Sequence, residues 1–311
     1  MVEGYNLPPF YFLFLVGKLS NSLLFRGFKN NMCICLNESA ASNTHVYVGN
    51  GIRDGHNVHV LAYQCTASAL DPSGKGAMLI PIPSTSRLTG DNFIDTSDFP
   101  KFLKDISNAS KRASSRSMMK GFSFSAQRGA MIVERGNTIY VYADNFASAA
   151  AALDQVREDC RPNFTSEFIE GCSALYQDPI TIACWAGNVE MDPLLLWYVP
   201  SDASTFRLPT MDAHDGKAPN PEAMVDTDHI LSVSAGDKIG HRVSYSDDIP
   251  DAVCGLLPNR VHGTDMRSHL RNGDMFVNVA DTLTKQHPEI RRATSVDSKP
   301  SVRGTLDGWE G

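Results

Sequence analysis

A chain of 311 residues that is 42% hydrophobic and 20% charged, with 23 Gly and 17 Pro, has the make-up of an ordinary globular protein and excludes a disordered or fibrous one. Its net charge of −7 supplies no global positive field, so nucleic acid is not an expected partner. At roughly 150 residues per domain the length allows two domains, or one large domain with appendages.

Residues 1–31 read as an apolar N-terminal arm, or as an extension upstream of a start at Met32. The stretch "LPPFYFLFLVGKLSNSLLF" is broken by Lys18, Ser20, Asn21 and Ser22, and its uninterrupted run falls well below the ~20 residues of a membrane span. Glu3 precedes it with no Lys or Arg, which makes it a poor secretion signal. Seven cysteines occur in no repeated spacing. An odd count of this kind fits buried thiols in a reducing, cytoplasmic setting better than a disulfide framework. Sequons at Asn37, Asn108 and Asn163 add nothing to a case for secretion.

A main α+β domain is expected over residues 32–212. "THVYVGNG", "NVHVLAYQCTA" and "GAMLIPIP" are apolar runs separated by Gly, Asn and Asp turn signals, and they predict a three-strand meander. Pro81 and Pro83 lack the amide hydrogens that an inner strand needs, which predicts a strand leaving its sheet at a rim. "SDFPKFLKDISNASKR" places Phe99, Phe102, Leu103 and Ile106 on one helical face. Its Ser, Lys and Arg continuation reads as a solvated end and a loop. "GAMIVERGNTIYVYADN" is a hairpin about a Gly-Asn turn. "FASAAAALDQVREDC" and "TSEFIEGCSALY" form a helix pair, and "PITIACWAG", "PLLLWYVPS" and "TFRLPTM" are three further strands.

Residues 213–228 read as a linker or long loop. A smaller C-terminal segment, 229–290, would hold a hairpin-like pair in "HILSVSAGDKIGHRVSYS" and a short helix and strand in "DMRSHLRNGDMFVNVADTL". Residues 291–311 carry few large apolar side chains, so a disordered tail is expected, apart from any docking of Trp309. The fold class is therefore α+β, a mainly antiparallel sheet with the 146–176 helix pair packed on one face.

No P-loop, dinucleotide-binding glycine fingerprint, nucleophile elbow or H-E-x-x-H motif occurs. No cofactor and no metal are implied. "RDGHNVHV" gathers Arg53, Asp54, His56 and His59 as a candidate binding cluster, with His45 on the preceding strand. His56 and His59 are three apart, which on a strand sends them to opposite faces. "MCICLNES" resembles the opening of class II glutamine amidotransferases, which begin Met-Cys and run into a strand. That resemblance implies Cys33 as an N-terminal nucleophile. Ile34 stands where that family has Gly, and its Arg-Gly substrate loop is not found.

The order of "LIPIPS", "NTIYVYADNFASAAAALDQVREDC", "NFTSEFIEGCSALY", "PITIACWAG" and "DPLLLWYVPSDASTFRLP" resembles a bacterial family catalogued only as a domain of unknown function. The resemblance covers about residues 44–210. Trp185 ends its strand where that family begins one with an aromatic, and the family brings no activity. The function expected is a non-catalytic binding or assembly protein with a protein partner or self-assembly. The alternative is a cysteine amidase or amidotransferase using Cys33.

Overall fold

In the computed structural model, residues 34–36, 39–70, 72–110, 122–126, 130–213, 217–295 and 302–307 are described. After β1 (Ile34–Leu36), two long strands, β2 (Ser39–Arg53) and β3 (His56–Ala69), form a hairpin closed by the pair Arg53 and His56. Asp54 and Gly55 both have positive φ, 50° and 77°. Two such residues in succession make the turn whose twist matches that of the flanking strands.

The expected meander ends there. β4 (Lys75–Pro81) does not join β3 but enters a second sheet between β1 and β8 (Ile180–Ala186). The free edge of β3 is taken instead by β9 (Asn188–Glu190) and β10 (Leu194–Tyr198). Among the described residues β1 pairs with β4 at Ala77, Met78 and Leu79. Ile82 N–H donates to Pro179 O (2.7 Å) on the β8 side, so the nitrogens of Pro81 and Pro83 face away from β8, toward the β1 edge of the sheet.

The six-stranded sheet is completed by β5 (Phe122–Ala126), β6 (Met131–Arg135) and β7 (Thr138–Ala143), in the order β1-β4-β8-β7-β6-β5. The expected helix pair lies on its face. α2 (Phe146–Ala151) is capped by Asn145, whose side chain accepts from Ser148 N. α3 (Ser166–Leu175) is capped by Thr165, which accepts from Phe168 N. Phe146, Phe168 and Cys172 bury against Ile139, Val141, Ile180 and Ile182. Deleting one of these aromatic side chains removes about 3–5 kcal/mol of packing.

The seven-stranded sheet contains a parallel pair. β12 (Met224–Ser234) lies beside β2, with Ile230 opposite His45 and Ser234 opposite Gly49. The last five residues of the expected 213–228 linker, 224–228, are thus the start of a core strand. Its antiparallel partner is β14 (Arg260–Arg271), not the nearby 241–246 segment. β13 is only His241–Arg242 and pairs β14. The short helix and strand expected within residues 265–283 are present as helix Val279–Thr284 and strand Asp274–Asn278, while residues 265–271 before them extend β14 along its ladder partner β12. The far edge of β10 is covered by bonds such as Ile94 N–H to Leu195 O, 2.9 Å.

A third sheet joins β11 (Thr205–Leu208), β15 (Asp274–Asn278), β16 (Glu289–Ala293) and β17 (Val302–Thr305). Residues 291–293 and 302–305 of the expected tail are therefore paired strand. Side chains of all three sheets meet in one core, among them Val48, Leu61, Met78, Tyr140, Phe206 and Val277. The other face of the seven-stranded sheet is covered by α1 (Phe102–Ser110), whose Phe102, Leu103 and Ile106 pack with Tyr47 and Val60. Among the described residues no helix is long and apolar enough to cross a membrane.

Candidate binding cleft

Side chains alternate along paired strands, so Asn50 and Ile52 of β2 share a face with Asn57 and His59 of β3, opposite which they lie in register. A cleft of about 540 Å³ opens at this end of the seven-stranded sheet. Its walls are the hairpin, the chain after β10 at Val199, Pro200 and Ala203, the turn at Ser234–Asp237, and the turn after α4 (Asp251–Cys254). Ile52 N–H donates to Gly255 O (2.9 Å), which ties the hairpin to that last turn. The approach is close enough that a Cβ on Gly51 would stand 2.8 Å from Val60 and 3.2 Å from Gly255 O.

His59 is 3% exposed and packs its ring 5.0 Å from Phe206 and 5.8 Å from Tyr198, centroid to centroid. Burial pushes its pKa down to about 4, against smaller opposing effects of Asp202 and a hydrogen bond to the Ala203 backbone. Nε2 is buried with no partner. The lowered pKa favours a neutral imidazole at neutral pH, and the residue forms part of the cleft wall.

The other three residues of the sequence cluster do not line the cleft. Asp54 and His56 are exposed at the hairpin tip. Arg53 donates from Nη1 to Ala252 O (3.4 Å), lies 6.0 Å from the Trp197 ring centre, and has Nε 3.8 Å from Asp54. His56 and His59 project to opposite faces, as their spacing implies. Among the described residues no group of three His, Cys, Asp or Glu is placed to hold a metal ion.

Five large apolar side chains are exposed among the described residues, and three surround this cleft. Ile52 (60%) and Val199 (43%) line it, while Leu283 (46%) lies on α5 (Val279–Thr284), where a Cβ on Gly236 would be 3.1 Å from its Cδ2. The amides of Asn50 and Asn57 are exposed beside them. Asp237 is the one carboxylate of the lining, which holds no Lys or Arg among the described residues. Asp237 Oδ2 accepts from Asn259 Nδ2 at 3.1 Å. Sequence reading passed over Ile52, Asn50 and Asn57. The signal was an isoleucine set within the polar hairpin tip "NGIRDG".

Cys65, Cys160, Cys172 and Cys184 are buried, and burial pushes the Cys65 and Cys172 thiols up to about 12. Cys254 is exposed and lines the cleft, but its thiol contacts the carbonyls of Ile249 (3.8 Å) and Pro250 (3.5 Å) rather than an imidazole. Cys33 lies outside the described residues.

No family model and no curated protein matches the chain. Among solved structures, it is similar to the crystal structure of baculovirus P35, at 10% identity and a TM-score of 0.40, over 88% of this chain and 99% of that one.

Proposed function

We propose that the protein is a non-catalytic binding component that docks a protein partner at the mouth of this cleft. The observation that carries the reading is the gathering of Ile52, Val199 and Leu283 around one concavity. Single exposed apolar residues are ordinary on a surface, whereas a cluster rimmed by polar groups marks a place that is covered in use. The cleft also has the size of a binding site. Its neutral, buried imidazole and the raised thiols elsewhere favour recognition over proton transfer or nucleophilic attack.

The test is a native mass spectrum of the protein isolated from its source, repeated on the Ile52→Glu variant. A defined complex that the variant no longer forms is the expected result. Turnover of an amide or ester substrate by a stable monomer would sink the reading. So would a complex indifferent to both Ile52→Glu and Val199→Glu.

A further inference from the structure

We propose that the cleft takes an extended segment of a protein partner that presents an apolar side chain next to a basic one. This rests on the binding reading above and adds the chemistry of what is bound.

The hairpin supplies the argument for an extended segment. Asn50 lies opposite His59, and Asn57 stands two residues from His59 on the same face. The two amides are thus diagonal neighbours, roughly 7 Å apart by the geometry of paired strands. An extended backbone repeats the same side every two residues, or roughly 6.7 Å. Each amide carries both a donor and an acceptor, so the pair can engage successive N–H and C=O groups of a backbone whatever its side chains. Neither amide has a hydrogen-bond partner among the described residues.

Charge selects the side chains. The lining contains Asp237 and no cation among the described residues, and Asp202 lies near enough to act on His59. The cations adjoining the lining in sequence lie outside it: Arg53 is held at Ala252 O and the Trp197 ring, Arg260 donates from Nη1 to Gly240 O (2.7 Å), and Lys238 is exposed. A basic side chain gains a counter-ion in Asp237, while an acidic one faces that carboxylate and finds no cation in the described lining. Phosphate-bearing and other anionic ligands are disfavoured on the same ground. Ile52 and Val199 take the apolar side chain.

The experiment is an NMR titration of the ¹⁵N-labelled full chain with three short blocked peptides: acetyl-Leu-Arg-Leu-Ser-amide, acetyl-Leu-Glu-Leu-Ser-amide and acetyl-Ser-Arg-Ser-Ser-amide. The signals followed are the side-chain amides of Asn50 and Asn57 and the backbone amides of Ile52 and Gly236. The Leu-Arg peptide should shift them saturably, with roughly tenfold weaker binding by the Leu-Glu peptide and weaker binding again by the Ser-Arg peptide. Asp237→Asn should bring the two leucine peptides within about twofold of each other. Equal binding of both leucine peptides to the unmodified protein overturns the inference and leaves the binding reading standing. Silence of the cleft signals toward all three peptides overturns both.

Discussion

The carboxylate of Asp274 receives Arg207 twice: Nε and Nη2 each lie 2.8 Å from Oδ2. Its other oxygen accepts the backbone N–H groups of Thr210 (3.0 Å) and Met211 (2.9 Å). Four charge-assisted contacts on a carboxylate that is 1% exposed fasten the chain after β11 to the start of β15. Asp274→Ala leaves two backbone amides without their acceptor and Arg207 with only the more exposed Asp178, and should cost about 3–5 kcal/mol. Asp178 touches the same arginine at 3.0 Å but is 32% exposed, so Asp178→Ala should cost only about 0–1 kcal/mol. Urea unfolding of the two variants side by side checks the contrast, and equal losses would refute it.

His59 should make the protein acid-sensitive. Its folded pKa, near 4, lies below the ordinary value of about 6.5. Above pH 6.5 neither state binds the proton. As pH falls, the unfolded chain protonates first, so stability is lost between about pH 6.5 and 4 and levels off below. The loss is about 3 kcal/mol for this group. His229 adds to it with the same sign, since burial first and Arg292 second hold its pKa well below normal. His59→Phe keeps the contacts with Tyr198 and Phe206 while removing the buried nitrogen. It should flatten that part of the stability curve, and an unchanged slope would show that His59 does not titrate in this way.

Thiol labelling should separate the described cysteines sharply. Cys254 is exposed, while Cys65 and Cys172 are buried with pKa values pushed up to about 12. In a maleimide time course on the native protein, read by peptide mass mapping, Cys254 should react at least a hundredfold faster than either. Prompt modification of Cys65 would mean that the core opens around it.

Gly76 lies across from Trp185 in the six-stranded sheet, and a Cβ there would stand 2.3 Å from the indole Cε2. Trp185 is fully buried, so the ring has nowhere to retreat. Gly76→Ala should destabilise by about 1–3 kcal/mol in chemical denaturation. Gly90, with open space around its Cβ position, is the control and should change little when replaced by Ala.

The elements set by local pattern were legible from residues alone. The 131–143 hairpin turns at Gly136, φ +54°, and the helix pair follows it where the pattern puts it. What escaped was long-range pairing. Nothing in "GAMLIPIP" says that β4 will prefer β8 to β3, and nothing in "HILSVS" says that its parallel neighbour is β2. Such choices are made by which edges remain free once other strands have docked. The tail was misjudged for a related reason, since β16 and β17 are stabilised by an adjoining sheet rather than by their own hydrophobicity. Of the site, His59 was found by residue type. Ile52, Asn50 and Asn57 were missed because their meaning depends on sharing one face of a hairpin beside a turn that follows them by some two hundred residues.

The parallel seam between β2 and β12 sets the order in which the molecule can be made. His45 meets Ile230 only after most of the chain has left the ribosome, so one margin of β2, carrying Val46 and Val48, stays unpaired through much of synthesis. Contacts this distant slow folding, and an open hydrophobic strand margin invites pairing with another chain in the interval. Chains cut short before Met224 would keep that margin permanently, and they should accumulate as aggregates rather than as a smaller folded unit.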